Sequence, residues 1–373
     1  MPTLVDWNLR MPFQNIYKGK TVLVTGHTGF KGSWLTLWLK ELGANVIGIS
    51  KDIPTIPSHF QLLELEKDIN HIILDVTNKE LLQSSISSYS PDFIFHLAAQ
   101  PLVNESYKNP TDTFLTNVMG VNNVLESVRL LNKQCACIIV TSDKCYDNID
   151  IKRGYRENDI LGGKDPYSAS KGAAELVFKG YFHSFFKNQT LSRVVTARAG
   201  NVIGGGDWAK NRIIPDCIRA WESGENVQIR NPNATRPWQH VLEPLSGYLH
   251  LGYLLWTDSK YNGESYNFGP NAGESSSVVK LIDKMSHAFY NGGKIKYDII
   301  DDESFHEASL LALDCNKAKS ELGWSQTLSY DELCALTADW YKNYKSQICK
   351  TLTITQINTF TMLAKNRGLT WAN

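Results

Sequence analysis

The sequence predicts an α/β fold: a doubly wound parallel sheet with a smaller mixed α/β domain attached. Three observations predict it. The short β-branched run Thr21-Val22-Leu23-Val24 ends in a glycine-spaced turn and opens at once into an apolar helical pattern. Strand-like and helix-like segments then alternate as far as about residue 200. Beyond Asn201 that rhythm breaks, and Gly204, Gly205, Gly206, Pro215, Gly224, Pro232, Pro237, Pro244, Gly263 and Gly269 punctuate shorter elements. Strands alternating with helices at this spacing build a parallel sheet with right-handed crossovers.

Each element follows from its own pattern. Residues 1–19, with Trp7, Phe13 and Tyr17, read as an arm packed on the body. Thr21 to Val24 is the length of a strand buried on both faces. Trp34, Leu35, Leu37, Trp38, Leu39 and Leu42 recur at helical spacing, and Gly43 stops that helix. Val46 to Ile49, His71 to Leu74 and Asp92 to His96 read as the next three strands. Thr111 to Leu131 is a long amphipathic helix and Cys137 to Thr141 a fifth strand. Pro166 to Phe186 is a second long helix, with Asp165 suited to its N-cap and Pro166 to its first position. Val194 to Ala197 is a sixth strand. The expected organisation is an arm 1–19, a first domain 20–200, a second domain 201–345 with segments returning to the first, and a C-terminal extension 346–373.

Composition narrows the function. The 373 residues are 42% hydrophobic and 20% charged, the balance of an ordinary globular chain. Lys plus Arg number 38 and Asp plus Glu number 38, so the chain lacks the basic excess of a nucleic-acid binder, and locally placed groups must hold any anionic ligand. No stretch approaches the roughly 18 apolar residues of a membrane span, and residues 1–20 lack the pattern of a secretory signal. The seven cysteines are odd in number and scattered, which points to a reducing, cytoplasmic setting. Cys135, Cys137 and Cys145 cluster near the fifth strand without a second CxxC or paired histidines, so they read as buried thiols, and no metal is expected.

Two constellations carry chemistry. In Gly26-His27-Thr28-Gly29-Phe30-Lys31-Gly32 a strand runs through glycines into a helix, which lets backbone N–H groups and the helix N-terminus approach a pyrophosphate. His27 reads as a cap on this turn. The acidic residue expected at the end of the second strand is replaced by Ser50-Lys51, which leaves NAD and NADP open. Asp75, ending the third strand, suits either an adenine contact or a turn. Tyr167 and Lys171 stand four apart on one helix face. An ammonium there is expected to favour phenolate and bring the tyrosine toward the range of a general base. Gly204 to Gly206 suits either a flexible bend or a close backbone approach to a ligand.

The glycine loop followed by a YxxxK helix resembles the extended short-chain dehydrogenase/reductase superfamily, whose fold is Rossmann-like. Phe95 to Gln100 is similar to its fourth-strand motif and Asn117 to its helix asparagine. Thr141-Ser142-Asp143-Lys144-Cys145-Tyr146 is similar to the segment bearing the catalytic Ser/Thr. Arg198 to Gly204 and Arg236 to Val241 resemble the nucleotide-sugar contacts of the sugar-modifying branch. The resemblance spans roughly residues 20 to 340, and its motif combination is most similar to members that dehydrate CDP-glucose.

What the resemblance implies is specific. NAD is the expected cofactor, held by Gly26, His27, Thr28, Gly29, Phe30, Lys31, Gly32, Ser50, Asp75, Val76, Ala98, Gln100 and Asn117 together with Tyr167 and Lys171. Ser142, Asp143, Lys144, Tyr167 and Lys171 are the expected catalytic residues. Asn201, Arg236 and His240 are expected to bind the substrate, a nucleotide-sugar such as CDP-glucose. Related dehydratases acting on dTDP-glucose carry Asp-Glu where this chain has Asp143-Lys144. The lysine therefore stands either as a neutral base or as an electrostatic stabiliser. The outer faces of the two long helices are expected to build a homodimer. A 4-epimerase, a dehydratase for another nucleotide, or a cofactor-sensing protein without catalysis are the alternatives. An epimerase needs no acid beside Ser142, and sensing proteins commonly lack the Tyr or Lys.

Overall fold

Apolar runs too uniform to alternate become strands covered on both sides. In the computed structural model, which describes residues 11–151, 153–229, 231–271, 275–290, 297–299 and 311–373, several such runs join more polar edge strands in one seven-stranded sheet. Its strands are β1 (Thr21–Thr25), β2 (Asn45–Ser50), β3 (Asn70–Ile73), β4 (Phe93–His96), β5 (Cys135–Val140), β6 (Ser192–Ala199) and β7 (Ser265–Phe268). Their order is β7-β6-β5-β4-β1-β2-β3, and every neighbouring pair is parallel. The direction of winding reverses between β1 and β4. In open α/β sheets the crevice at that switch point, beyond the carboxyl ends of the strands, is where ligands bind.

The period of two along each strand divides the core. Val22 and Val24 join the cluster under one face, whereas Leu23 between them joins the cluster under the other. On the first face lie α1 (Phe30–Glu41) and, from the second half of the chain, α6 (Leu242–Thr257). On the other lie α2 (Lys79–Tyr89), α3 and α4. Helix α3 joins Pro110–Phe114, a π turn Leu115–Met119 and Gly120–Arg129, and α4 is Pro166–Tyr181 continued by a second π turn, Phe182–Phe186. Between α3 and α6 in chain order also stands α5 (Ile213–Ser223), and after them α7 (Val278–Tyr290), α8 (Tyr330–Asn343) and α9 (Cys349–Asn366).

The second half of the chain does not stay apart. After two short paired strands at Val202–Ile203 and Gln239–His240, β7 returns to the edge of the main sheet beside β6. The terminal segments also close on the body. Phe13 stacks on Trp371 at 5.2 Å, Trp38 of α1 meets Phe360 of α9 at 5.9 Å, and the Tyr17 hydroxyl donates to Leu249 O at 2.6 Å. Fully burying side chains of this kind stabilises a fold by about 1.5–3 kcal/mol each. Trp7, part of the expected arm, lies outside the described residues.

The glycine run at 204–206 departs from both expected roles. A Cβ on Gly205 would lie 2.0 Å from Trp340 Cγ, one on Gly206 2.5 Å from the His59 ring, and one on Gly204 2.8 Å from Val241 Cγ1. These glycines let α8 and the His59 region close on the backbone. Gly205 O accepts a bond from Trp34 Nε1 at 2.9 Å, so the same segment is tied to α1.

Candidate active site

The loop between β1 and α1 is shaped by backbone proximity. Gly26 has φ +76°, and a Cβ there would lie 2.7 Å from Ala98 N. A Cβ on Gly32 would lie 2.0 Å from Gly26 O. No side chain caps α1 at Gly29. An uncapped first turn presents N–H donors and the positive end of the helix dipole, and these fit a dinucleotide's pyrophosphate. Ala98 N itself donates to Thr25 Oγ1 at 3.3 Å, which holds the ends of β1 and β4 together.

His27 reaches across the sheet rather than capping the turn. Its ring is fully buried, with Nδ1 2.9 Å from Ser50 Oγ and Nε2 2.7 Å from His71 Nδ1, so it bridges β1, β2 and β3. Burial, with His71 adding to it, pushes His27 down to about 4. The ring also explains Gly48, whose Cβ would meet His27 Cδ2 at 2.3 Å. Ser50 Oγ accepts from Thr28 N at 3.3 Å, and Thr28 Oγ1 donates to Asp52 O at 2.7 Å. The Ser50 hydroxyl is thus engaged in holding the loop.

The remaining expected cofactor residues sort by their contacts. Asp75 Oδ1 accepts from both Thr77 N and Thr77 Oγ1 at 2.9 Å, the turn arrangement of the two that its sequence position allows. Val76 is buried against Gly120. Asn117 accepts from Gln100 N at 2.8 Å and donates to Ser170 Oγ at 2.9 Å, joining the loop after β4 to α4. The Gln100 side chain donates to Leu102 O and Thr113 Oγ1.

The catalytic candidates converge at the ends of β5 and α4. Asp165 caps α4, its Oδ1 accepting from Ser168 N at 2.9 Å, and Pro166 opens the helix, as expected. Tyr167, Lys171, Ser142 and Asp143 are all buried. Ser142 Oγ donates to Asp143 Oδ1 at 2.8 Å and accepts from Lys144 N at 3.2 Å. Ser142 also hydrogen-bonds the Tyr167 hydroxyl.

Electrostatics correct one expectation. Burial pushes the Tyr167 phenol up to about 12, and the Ser142 hydrogen bond and Arg212 pull it back only partly. Lys171 Nζ lies 5.9 Å from the centre of the Tyr167 ring, and burial drives that lysine down to about 8. Lost hydration is the largest cause for both groups. Burial also pushes the Asp143 carboxyl up, against the pull of Lys144, Ser142 and Lys31. That direction suits an acid that keeps its proton.

The structure separates the substrate candidates. Asn201 O accepts from Gln239 N at 3.2 Å, and Arg236 NH1 donates to Thr235 O at 3.0 Å; both side chains are half-buried. His240 stands apart from them. Its ring is enclosed, its Nδ1 accepts from Leu242 N at 3.3 Å, Trp34 meets its face 5.9 Å away, and burial holds it near 3. Arg198, which opens a segment resembling nucleotide-sugar contacts, is fully buried and paired with Glu175 at 2.7 Å. Its role is internal.

Three residues near this centre escaped the sequence reading. Arg212, paired with Asp207 at 2.9 Å, reaches close enough to stabilise a Tyr167 phenolate. Tyr248 has a buried hydroxyl without a partner among the described residues, and Lys31 Nζ lies 6.0 Å from its ring. Burial, then Arg212, drive Lys31 down to about 8. No periodicity marks Arg212 or Tyr248. Glu175 could have been found, because it continues the Tyr167, Lys171 stripe by four more residues. Cys135 and Cys137 are buried thiols, the first pushed up to about 12. Among the described residues no group of three or more His, Cys, Asp or Glu could hold a metal ion.

Comparison with known proteins supplies a context. The family described as GDP-mannose 4,6 dehydratase matches residues 23–337. The CDP-glucose 4,6-dehydratase of Salmonella typhimurium is 46% identical over 334 residues, covering 88% of this chain and 92% of that protein. The dTDP-glucose 4,6-dehydratase of Haemophilus influenzae is 25% identical, covering 86% of this chain and 97% of its own. Among solved structures, the epimerase Mth375 of Methanothermobacter thermautotrophicus aligns with a TM-score of 0.76 at 24% identity, covering 93% of this chain and 99% of that one. DesIV, a dTDP-glucose 4,6-dehydratase from Streptomyces venezuelae solved with NAD bound, aligns with a TM-score of 0.74 at 23% identity, covering 87% and 97%.

Proposed function

Because the chain belongs to the GDP-mannose 4,6 dehydratase family, we propose that it is an NAD-dependent hydro-lyase converting CDP-glucose to CDP-4-dehydro-6-deoxyglucose. The observation that carries this reading is the Ser142–Asp143 hydrogen bond beside Tyr167. It sets a buried acid against the oxidation centre, which a dehydratase needs and a 4-epimerase does not. The identity to the Salmonella CDP-glucose enzyme, against 25% for a dTDP-glucose enzyme, supports the nucleotide.

Residues of this chain supply each proton. NAD, when bound, would be cradled by the Gly26–Gly32 loop and by Lys171 and would supply the hydride chemistry that oxidises C4 and reduces C6. Tyr167 takes the proton of the 4-hydroxyl, with Ser142 hydrogen-bonding that oxygen. Lys171 and Arg212 offset the phenolate's charge as it forms. The resulting 4-ketone acidifies the C5 proton, which passes to a base in the site and is returned to C5 as hydride reaches C6, so elimination can proceed. Asp143, whose burial favours the protonated form, gives its proton to the departing 6-hydroxyl, which leaves as water. Lys144, in the same turn, places a cation where the enolate develops. At the end of the turnover Tyr167 gives up the proton it took and Asp143 regains one; the hydride removed at C4 is the one returned at C6, so the sequence of steps is redox-neutral. Arg236 and Asn201 hold the nucleotide side of the substrate.

The exposed apolar residues Phe114, Leu115 and Met119 on α3 and Leu176 and Phe185 along α4 and its π turn support a homodimer through these two helices. All seven cysteines are free, which supports a reducing, cytoplasmic setting. Incubating the purified protein with CDP-, dTDP-, GDP- and UDP-glucose, with and without added NAD or NADP, tests the whole reading. A 4-keto product is expected from CDP-glucose, with NAD raising turnover more than NADP. Product only from another sugar would reassign the substrate, and no 4-keto product from any of them would overturn the activity.

A further inference from the structure

The segment that bears Ser142 and Asp143 is gripped at both ends by one buried ion pair. Thr141, just before it, donates from Oγ1 to Glu175 Oε1 at 2.5 Å. Tyr146, just after it, accepts at its hydroxyl from Arg198 NH1 at 2.8 Å. Glu175 and Arg198 are joined to each other by two bonds, Nε to Oε1 at 2.9 Å and NH2 to Oε2 at 2.7 Å, and both side chains are fully buried. Thr196 of β6 also donates to Glu175 Oε2, at 3.0 Å. Arg198 completes its fork on Glu157 O, and the Tyr146 hydroxyl donates to Asn267 Oδ1 of β7 at 2.7 Å.

Glu175 lies two helical steps of four beyond Tyr167 and one beyond Lys171, so the pair is rooted in the helix that carries both. We infer that Glu175 and Arg198 form a positioning clamp, which fixes Ser142 and Asp143 against Tyr167 and Lys171. A buried ion pair is weak evidence for stability, since hydrophobic replacements are often as stable. A buried network in which all three Arg198 nitrogens and both Glu175 oxygens are hydrogen-bonded fixes the geometry of what it holds. Catalytic constellations tolerate only about 0.5 Å of displacement, and a misplacement of about 1 Å can lower the rate on the order of 10²-fold. Tyr146 and Thr141 are the two links by which the pair acts on the segment.

The inference rests on the dehydratase reading for its kinetic test, and its structural test is independent of that reading. Thr141→Val and Tyr146→Phe each remove one hydroxyl and keep the ion pair, which avoids the folding risk of Glu175→Gln. With the nucleotide sugar that the parent turns over, each variant is expected to lose about 10-fold or more in kcat. KM for the sugar and affinity for NAD should stay within about 2-fold, since neither hydroxyl is placed at a ligand. The double variant should lose less than the product of the two, because both act on one segment. Crystal structures of the variants should show Ser142 Oγ displaced relative to Tyr167, whatever the parent's substrate. A parent without activity but with that displacement would sink the dehydratase reading and sustain the clamp. Unchanged kcat with lowered thermal stability, or an undisplaced Ser142, would overturn the clamp.

Discussion

Lost hydration governs the chemistry at the scale of single residues. Tyr167 sits among buried groups and is pushed up to about 12, so the base proposed here would act only while substrate, Ser142 and nearby cations favour its charged form. Tyr167→Phe keeps the ring and removes the acceptor. Turnover is expected to fall on the order of 10²-fold or more, with NAD affinity in equilibrium titration nearly unchanged. Asp143 is raised by burial, and in the proposed mechanism it acts after oxidation. Asp143→Asn should therefore still reduce the cofactor when substrate is added, visible as transient nicotinamide absorbance, while the 6-deoxy product forms slowly. Failure at cofactor reduction would place Asp143 earlier in the reaction.

Among the elements, α4 is the one on which most of the centre depends. Its N-cap Asp165 accepts from Ser168 N at 2.9 Å and from Ser168 Oγ at 2.5 Å, two residues from Tyr167 in sequence. Losing such a cap destabilises a protein by about 1 kcal/mol. Asp165→Ala should lower stability by that amount in urea denaturation and reduce kcat several-fold, because the first turn frays where the phenol stands. Asp165→Ser should restore most of both. If the Ala variant loses stability but keeps kcat, the first turn is held by packing rather than by its cap.

The whole molecule shows the cost of placing cations inside it. Lys171 and Lys31 both lie near 8, below the 10.5 of a free lysine, with burial the largest cause. Between those values the unfolded chain binds more protons than the folded one, so stability rises with pH through that window. Lys171→Met should raise stability at neutral pH by up to about 3 kcal/mol and flatten part of that rise, with Lys31 accounting for the remainder. Urea midpoints at neutral and alkaline pH check this, and a variant less stable than the parent at neutral pH would refute it. The exposed α3 and α4 face makes a second prediction at this scale. Leu176→Glu together with Met119→Glu should convert a dimer to a monomer in sedimentation, and an unchanged mass would place any interface elsewhere.

The limits of sequence reading are clear in particular residues. Val22, Leu23 and Val24, the Gly26–Gly32 turn and the Tyr167, Lys171 spacing announced β1, the glycine turn after it and the helix that carries both candidate residues, since periodicity and steric demand act locally. The strand expected at 137–141 is β5 at Cys135–Val140, and the helix expected at 111–131 runs from Pro110 to Arg129. Nothing local could show that Gly205 faces Trp340, that His27 rests on His71, or that Arg198 is spent on Glu175. A sequence pattern reports that a side chain is buried, not which side chain lies across from it. The upward shift of Tyr167 is of the same kind, because desolvation depends on every group around the phenol, and Lys171 is only one of them. The sequence by itself determined the sheet, the loop and the pair of residues on α4. Tertiary structure decided the partners, because hydrogen bonds and charges across the fold depend on distances that only the folded chain creates.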